Sequence, residues 1–237
     1  MGFEAYPEFY HRSHGILKLE SQFIQQRISE IGESPASIKI LDLACGTGRL
    51  SNLFGTVDHL ISSDKNFLML KFRQKLKCDN EALFQADNLQ LPMKSNCFDM
   101  ILLSMNSVAY FSPDEVLVLM KEVNRVLKDG GIFIFDQLDP RRLSIDDEFV
   151  KLIGCDCFTA YERIDQKQID GWQKVTRKYC SNDGNTYDIQ EWLYFHKLND
   201  LRKSANTAGF KTCVVWDGFG KSRVHRKSSR WVFEIRS

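Results

Sequence analysis

The chain has 237 residues, 43% hydrophobic and 27% charged, which suits one globular unit with a sizeable core. A formal net charge of +1 leaves no global field to draw it to nucleic acid or a membrane surface. No apolar run approaches the roughly 20 residues that span a bilayer, and "MGFEAYPEFYHRSHG" lacks a secretory core, so a cytoplasmic protein is expected. Its cysteines, at positions 45, 78, 97, 155, 157, 180 and 213, are odd in number and scattered, as for reduced thiols. Cys155 and Cys157 form a Cys-x-Cys without a matching second pair, so no metal site is expected.

Residues 1–15 are aromatic and polar without a clear period. Over residues 16–31, Ile16, Leu19, Phe23, Ile24 and Ile28 recur at helical spacing, and "GESPAS" then breaks the chain. "IKILDLA" reads as a buried strand, and "GRLSNLF" predicts the start of a helix. "HLISSD" is a second strand, "FLMLKFRQKL" a helix, "ALFQAD" a third strand and "FDMILLSM" a fourth. "PDEVLVLMKEVNRVLKDGG" predicts a helix with Pro113 and acids at its start and Gly130-Gly131 at its end. "IFIFDQ" is a fifth strand. After Pro140 the rhythm changes: "DGWQKVTRKYCSNDGNTYDIQEWLYF" predicts two antiparallel strands around a turn. A short helix, "LNDLRKSANTAGF", and two closing strands, "KTCVVW" and "RWVFEIR", follow.

Nearly all-apolar strands alternating with helices imply an α/β protein with a mostly parallel, doubly wound sheet. Ligands of such sheets bind beyond the carboxyl ends of the strands. The first turn aligns as Gly46-x-Gly48-x-x-Ser51, close to a dinucleotide fingerprint that would hold a pyrophosphate. Asp42 at the same turn would repel phosphate and favour a cationic group. S-adenosylmethionine, with an ammonium, a sulfonium and no phosphate, meets that requirement. Asp64, ending the second strand, can accept both hydroxyls of a ribose, and Asp87 after the third can accept from an adenine amine. A turn acid and a helix N-cap are the ordinary alternatives for these two positions.

"ILDLACGTGRL", "SSDKNFLML", "QADNLQLPMKSNCFDMILLSMNSVAYF" and "EVNRVLKDGGIFIFD", covering residues 38–136, resemble the class I S-adenosylmethionine-dependent methyltransferases in order and spacing. The resemblance implies a single domain over residues 1–237. It implies a seven-stranded sheet with a reversed last strand, supplied by "RWVFEIR", and a small antiparallel cap insert over residues 138–196. It places Asp42, Ala44, Gly46 and Gly48 at the methionine end, where Ala44 stands for the family's usual glycine. Asp64 would bind the ribose, Lys65, Asp87 and Asn88 would surround the adenine, and Ser104 would lie under the methionyl part. Met69 would pack near the adenine side, or in the core.

"EFYHRSHG" is similar to the aromatic segment that closes over the cofactor in small-molecule methyltransferases, including those acting on aminosugars. Residues 1–37 are therefore expected to form a helical lid, with Tyr10 and Arg12 contacting cofactor or substrate. Asn106 and Tyr110 follow the fourth strand, where the family places residues beside the methyl group. Trp172 and Tyr194 of the cap are expected at the acceptor. His196 is the first candidate base because an unshifted imidazole titrates near neutrality; His14 and Tyr110 are its competitors. Methyl transfer mainly needs alignment, so no triad is required. The basic stretch "KSRVHRKSSR" at residues 221–230 lacks the aromatic interleaving of a nucleic-acid platform.

The expected activity is methyl transfer from S-adenosylmethionine to nitrogen or oxygen of a small molecule, by a monomer or homodimer. A tRNA-modifying methyltransferase and a non-catalytic cofactor-binding regulator would share the same cofactor motifs.

Overall fold

The computed structural model describes residues 2, 5–14, 18–31, 34, 37–54, 57, 59–76, 81–143, 146–151 and 158–237. Ile16, Cys78, Cys155 and Cys157 fall outside them.

Seven strands make the main sheet: β1 (Lys39–Leu43), β2 (His59–Asp64), β3 (Glu81–Gln85), β4 (Phe98–Leu103), β5 (Leu127–Leu138), β10 (Thr212–Asp217) and β11 (Arg230–Arg236). Their spatial order is β10-β11-β5-β4-β1-β2-β3. The first five pair in parallel, whereas β11 runs antiparallel to both β5 and β10. This is the seven-stranded α/β sheet with a reversed last strand expected from the sequence.

Two cores flank the sheet because successive strand residues face opposite sides. Leu41, Leu43, Ile101, Leu103, Phe133 and Phe135 face α4 (Pro113–Val126) and α5 (Leu198–Thr207). Ile40, Met100, Leu102, Ile132 and Ile134 face α2 (Lys18–Glu30), through Phe23, Ile24 and Ile28. All six residues of β4 are buried, which explains its unbroken apolar run. Ser112 and Glu115 start α4 with a reciprocal capping box.

Three elements differ from the sequence reading. The helix expected after the first turn is a 3-10 turn over Ser51–Phe54. Gly48 and Gly55 leave little chain between them, and Ser51 turns its hydroxyl to Glu81 instead. The helix starting at Pro113 stops at Val126, because Leu127 already pairs with Phe98 and a bulge carries the glycines inside β5. Residues Pro7–Ser13, without a clear period in sequence although inside the segment expected to be a helical lid, form α1, with Pro7 in its first turn as the signal.

A second, four-stranded antiparallel sheet comprises β6 (Asp146–Lys151), β7 (Phe158–Ile169), β8 (Trp172–Ser181) and β9 (Thr186–Tyr194). Only β8 and β9 were read from the sequence; an inward Glu162 interrupts the apolar alternation of β7. On its inner side Phe9 of α1 stacks on Tyr187 at 4.1 Å and meets Tyr179 edge-on at 4.8 Å. Met69, on α3 (Phe67–Lys75), joins the same cluster, so α1 bridges the second sheet and the main domain.

Candidate active site

A cavity of about 510 Å³ opens at the carboxyl ends of β1, β2 and β3, with β9 across from them. Ala44, Gly46, Asp64, Lys65, Asp87, Asn88, Tyr10 and Tyr110 all line it. Asn66, Met69, Leu89, Ser107, Phe111, Glu115 and Glu191 complete its wall.

The turn after β1 is built around Asp64. Its Oδ2 accepts the Gly46 amide at 2.8 Å, and its Oδ1 accepts the Asn66 amide at 2.7 Å. Burial pushes this carboxyl up from its ordinary value, and those backbone donors pull it back. The Gly48 amide is also satisfied internally, by the Cys45 carbonyl at 2.9 Å. Both glycine amides that a pyrophosphate would use are thus committed within the protein, and no long helix follows to add its dipole. Gly48 instead makes room for Arg73: a Cβ there would lie 2.1 Å from the arginine Cδ. Ala44 adopts φ +50°, which accounts for the glycine usual at this place in similar chains.

Asp42 is buried and does not line the cavity; it alternates with Leu41 and Leu43 along β1, and its charged neighbours are Arg49, Glu81, Asp64 and Glu20. Burial pushes its carboxyl up to about 8, against the lowering influence of Arg49. Arg49 is held by Glu20 in two bonds of 2.5 and 2.6 Å and also donates to Ser104 Oγ at 3.2 Å. Ser104 is therefore drawn towards Arg49.

At the opposite end, Lys65 Nζ meets Asp87 Oδ2 at 2.8 Å, and Asp87 Oδ1 caps the turn by accepting the Leu89 amide. The hydrogen bond to Asp87 raises the lysine's pKa, and the same bond lowers that of Asp87. Beside them, the buried Asn88 Oδ1 has no hydrogen-bond partner among the described residues.

Tyr10 closes the cavity from α1, its ring against the Gly46 turn and stacked on His14 at 4.4 Å. Its phenol is pushed up to about 12, chiefly by burial, and stays protonated. Tyr110 lies half-exposed in the wall and turns its hydroxyl to Glu191 Oε1. Glu191 Oε2 accepts from Arg177 Nη1 at 2.6 Å, and Arg177 Nε donates to Glu162 at 2.7 Å.

Several expected site residues lie elsewhere. The His196 imidazole is buried, and its Nε2 donates to the Phe111 carbonyl at 3.0 Å; burial lowers its pKa. Its backbone is clamped by Gln137, so it joins β5 to the end of β9 and does not face the cavity. His14 sits behind Tyr10, pushed down to about 4 by burial. Arg12 is exposed on the outer side of α1, in a separate surface recess with Asp183 and Asn185. Asn106 has φ +61° and turns inward: its amide donates to Asp136, and its Oδ1 accepts the Leu138 amide at 3.0 Å. Trp172 and Tyr194 are cross-strand partners with rings 5.7 Å apart, and Tyr194 covers Gly171. Within the basic stretch, Arg230 pairs with the buried Asp136, His225 pairs with Asp217, and Arg223 lies over Trp216.

Glu191 is one of the wall residues the sequence reading missed, with Asn66, Leu89, Ser107, Phe111 and Glu115. Its signal was alternation: Ile189, Glu191 and Leu193 share the buried face of β9, while Trp192 points outward. Among the described residues no cluster of histidine, cysteine and acid could hold a metal ion, and no helix is long and apolar enough to cross a membrane.

Residues 41–135 match the family model described as a methyltransferase domain. A demethylmenaquinone methyltransferase from Staphylococcus aureus is 27% identical over 139 residues, 56% of each chain. The chain thus spans about half the length of the curated relatives it matches. An S-adenosylmethionine-dependent methyltransferase from Clostridium acetobutylicum superposes with a TM-score of 0.80 at 21% identity, covering 99% of this chain and 98% of that one. An amino pentose methyltransferase from Micromonospora echinaspora, solved with S-adenosylmethionine bound, gives 0.75 at 16% identity over 100% and 98%. The sugar N-methyltransferase from Streptoalloteichus gives 0.72 at 17% over 98% and 93%. Residues 41–135 therefore match a methyltransferase domain, and the chain shares the fold of the S-adenosylmethionine-dependent methyltransferases it superposes on.

Proposed function

We propose that the chain transfers the methyl group of S-adenosylmethionine to a nitrogen or oxygen of a small-molecule acceptor. The observation that carries this reading is the charge of the cavity. Four carboxylates, Asp64, Asp87, Glu115 and Glu191, line it against one ammonium, Lys65, and even with Arg177 behind Glu191 the wall stays net negative. Such a wall opposes phosphates and welcomes a net-cationic cofactor.

The residues present fit that cofactor. Asp64 accepts backbone amides on both oxygens and keeps acceptor capacity for ribose hydroxyls. The orphaned Asn88 Oδ1 supplies an acceptor where the adenine amine would lie. Ala44 and Gly46 give a close, uncluttered approach at the methionine end, and Tyr10 covers it. Bound S-adenosylmethionine supplies a methyl carbon already activated by a sulfonium leaving group. The protein's part is then to align the acceptor and exclude water, which α1 and the inner face of β7–β9 do between them. The wall's acidity also weighs against RNA as the acceptor, since a phosphate backbone would meet carboxylates at the mouth.

Calorimetry tests the cofactor assignment: S-adenosylhomocysteine should bind and NAD should not. Incubation of the protein and deuteromethyl-labelled S-adenosylmethionine with a metabolite extract or with tRNA tests the acceptor. Label in the metabolites supports the reading; label in tRNA alone, or a preference for NAD, rejects it.

A further inference from the structure

A second, much smaller cavity of about 10 Å³ lies on the α2 side of the sheet, at the carboxyl ends of β4 and β5. Leu102, Ile134 and Phe219 give it apolar walls. Three polar side chains reach it: Glu20 from α2, Ser104 just after β4, and Asp136 from β5. Asp136 is 1% exposed. Its Oδ2 accepts the Asn106 amide at 3.2 Å and pairs with Arg230, whereas its buried Oδ1 has no hydrogen-bond partner among the described residues. A carboxylate oxygen taken out of water without a donor is costly, so a donor is called for at this spot.

The neighbouring groups fix what that donor is. Glu20, 2% exposed, accepts from Arg49 through both oxygens, at 2.6 and 2.5 Å, and each oxygen keeps a lone pair. Ser104 Oγ accepts from Arg49 Nη2 at 3.2 Å, which leaves its own proton to give. The cavity thus presents one hydroxyl donor and two carboxylate acceptors. Both carboxylates already have a guanidinium, Glu20 with Arg49 and Asp136 with Arg230. A further cation would therefore bring an uncompensated charge into an apolar-walled site. The volume is close to the roughly 10–15 Å³ that one water requires, and it admits nothing larger.

We propose that Glu20, Ser104 and Asp136 bind one internal water molecule. The water accepts from Ser104 Oγ and donates to Asp136 Oδ1 and to a Glu20 oxygen; three bonds is the usual number for a buried water. It completes the hydrogen bonding of Asp136. It also closes a ring through Arg49, which is bonded to both Glu20 and Ser104. One polar unit thereby joins α2 to the ends of β4 and β5. This site does not depend on what the larger cavity binds.

A crystal structure of the full chain tests the site. It should show one ordered oxygen within about 2.6–3.2 Å of Asp136 Oδ1, Ser104 Oγ and a Glu20 oxygen. Crystals soaked in rubidium chloride should show no anomalous peak there. In solution, magnetic relaxation dispersion of the water oxygen detects long-lived internal waters. Ser104→Ala removes the donor and should shorten the lifetime of this water about fivefold, the loss expected for one hydrogen bond. The wild-type crystal decides the matter even where Ser104→Ala does not fold. A dry cavity, a rubidium peak, an Asp136 Oδ1 bonded to a protein donor, or a lifetime untouched by Ser104→Ala overturns the proposal.

Discussion

The Gly46 amide donates to Asp64 Oδ2 at 2.8 Å, so the turn after β1 and the acid ending β2 form one hydrogen-bonded unit. Replacing Asp64 therefore has two consequences. Asp64→Ala should weaken S-adenosylhomocysteine binding by about 1.5–3 kcal/mol through lost charge-assisted bonds. It should also lower unfolding stability by about 1–3 kcal/mol, because the Gly46 and Asn66 amides lose their acceptor. Asp64→Asn retains one acceptor oxygen and should fall between the two in both measurements. Calorimetry and urea unfolding separate the effects; an unchanged affinity in Asp64→Ala would remove the residue from the cofactor site.

Gly48 is needed for a different reason. Arg73 fills the space a side chain would take, and its guanidinium is buried with Glu81. Gly48→Ala should destabilise the protein by about 2–4 kcal/mol, from a left-handed backbone combined with overpacking. Thermal unfolding checks this. Adding Arg73→Ala should not restore stability, since Glu81 would then be buried without its partner. Wild-type stability in Gly48→Ala would show that the turn relaxes easily.

Ala44 presents the opposite case. It holds φ +50°, and its partly buried methyl group packs against the edge of the core. Ala44→Gly should leave S-adenosylhomocysteine affinity within about twofold and raise stability by up to about 1 kcal/mol, the left-handed penalty less the entropy of a freer unfolded chain. A marked loss of stability would mean that the methyl packs more productively than its position in the turn suggests.

The first half of the chain was legible because its signals are local. Apolar runs set β1, β2, β4 and β5, and the acid at the end of β2 and the glycine turn carry a motif with fixed spacing. The cap was much less legible. Its inner face mixes Ile189 and Leu193 with Glu191, and Val175 with Arg177, so burial there depends on charges pairing across strands that sequence spacing does not reveal. His196 shows the same limit from the other side. Its chemistry suggested a base, but its place between β5 and Phe111 is set by contacts more than 50 residues away in sequence, at Gln137 and Phe111. Asn106, expected beside the methyl group, instead fastens the loop after β4 to β5.

Two buried groups give the stability a predictable pH dependence. His14 is held near 4 when folded and returns to about 6.5 when unfolded, so below 6.5 the unfolded chain binds the extra proton and stability rises with pH. Asp42 has the opposite sign. Folded, it keeps its proton up to about 8; unfolded, it has lost it above roughly 4, so stability falls as pH rises through that window. Of these two, both act up to about pH 6.5, in opposite directions, and only Asp42 acts above it. Between pH 6.5 and 8 the protein should lose about 1–2 kcal/mol, from a limiting slope of about 1.4 kcal/mol per pH unit. Urea unfolding at the two pH values measures the loss. Asp42→Asn, which cannot ionise, should abolish it, whereas His14→Gln should change the profile only below about 6.5. A slope that survives in Asp42→Asn would mean that Arg49 already keeps the carboxylate ionised in the folded protein at neutral pH.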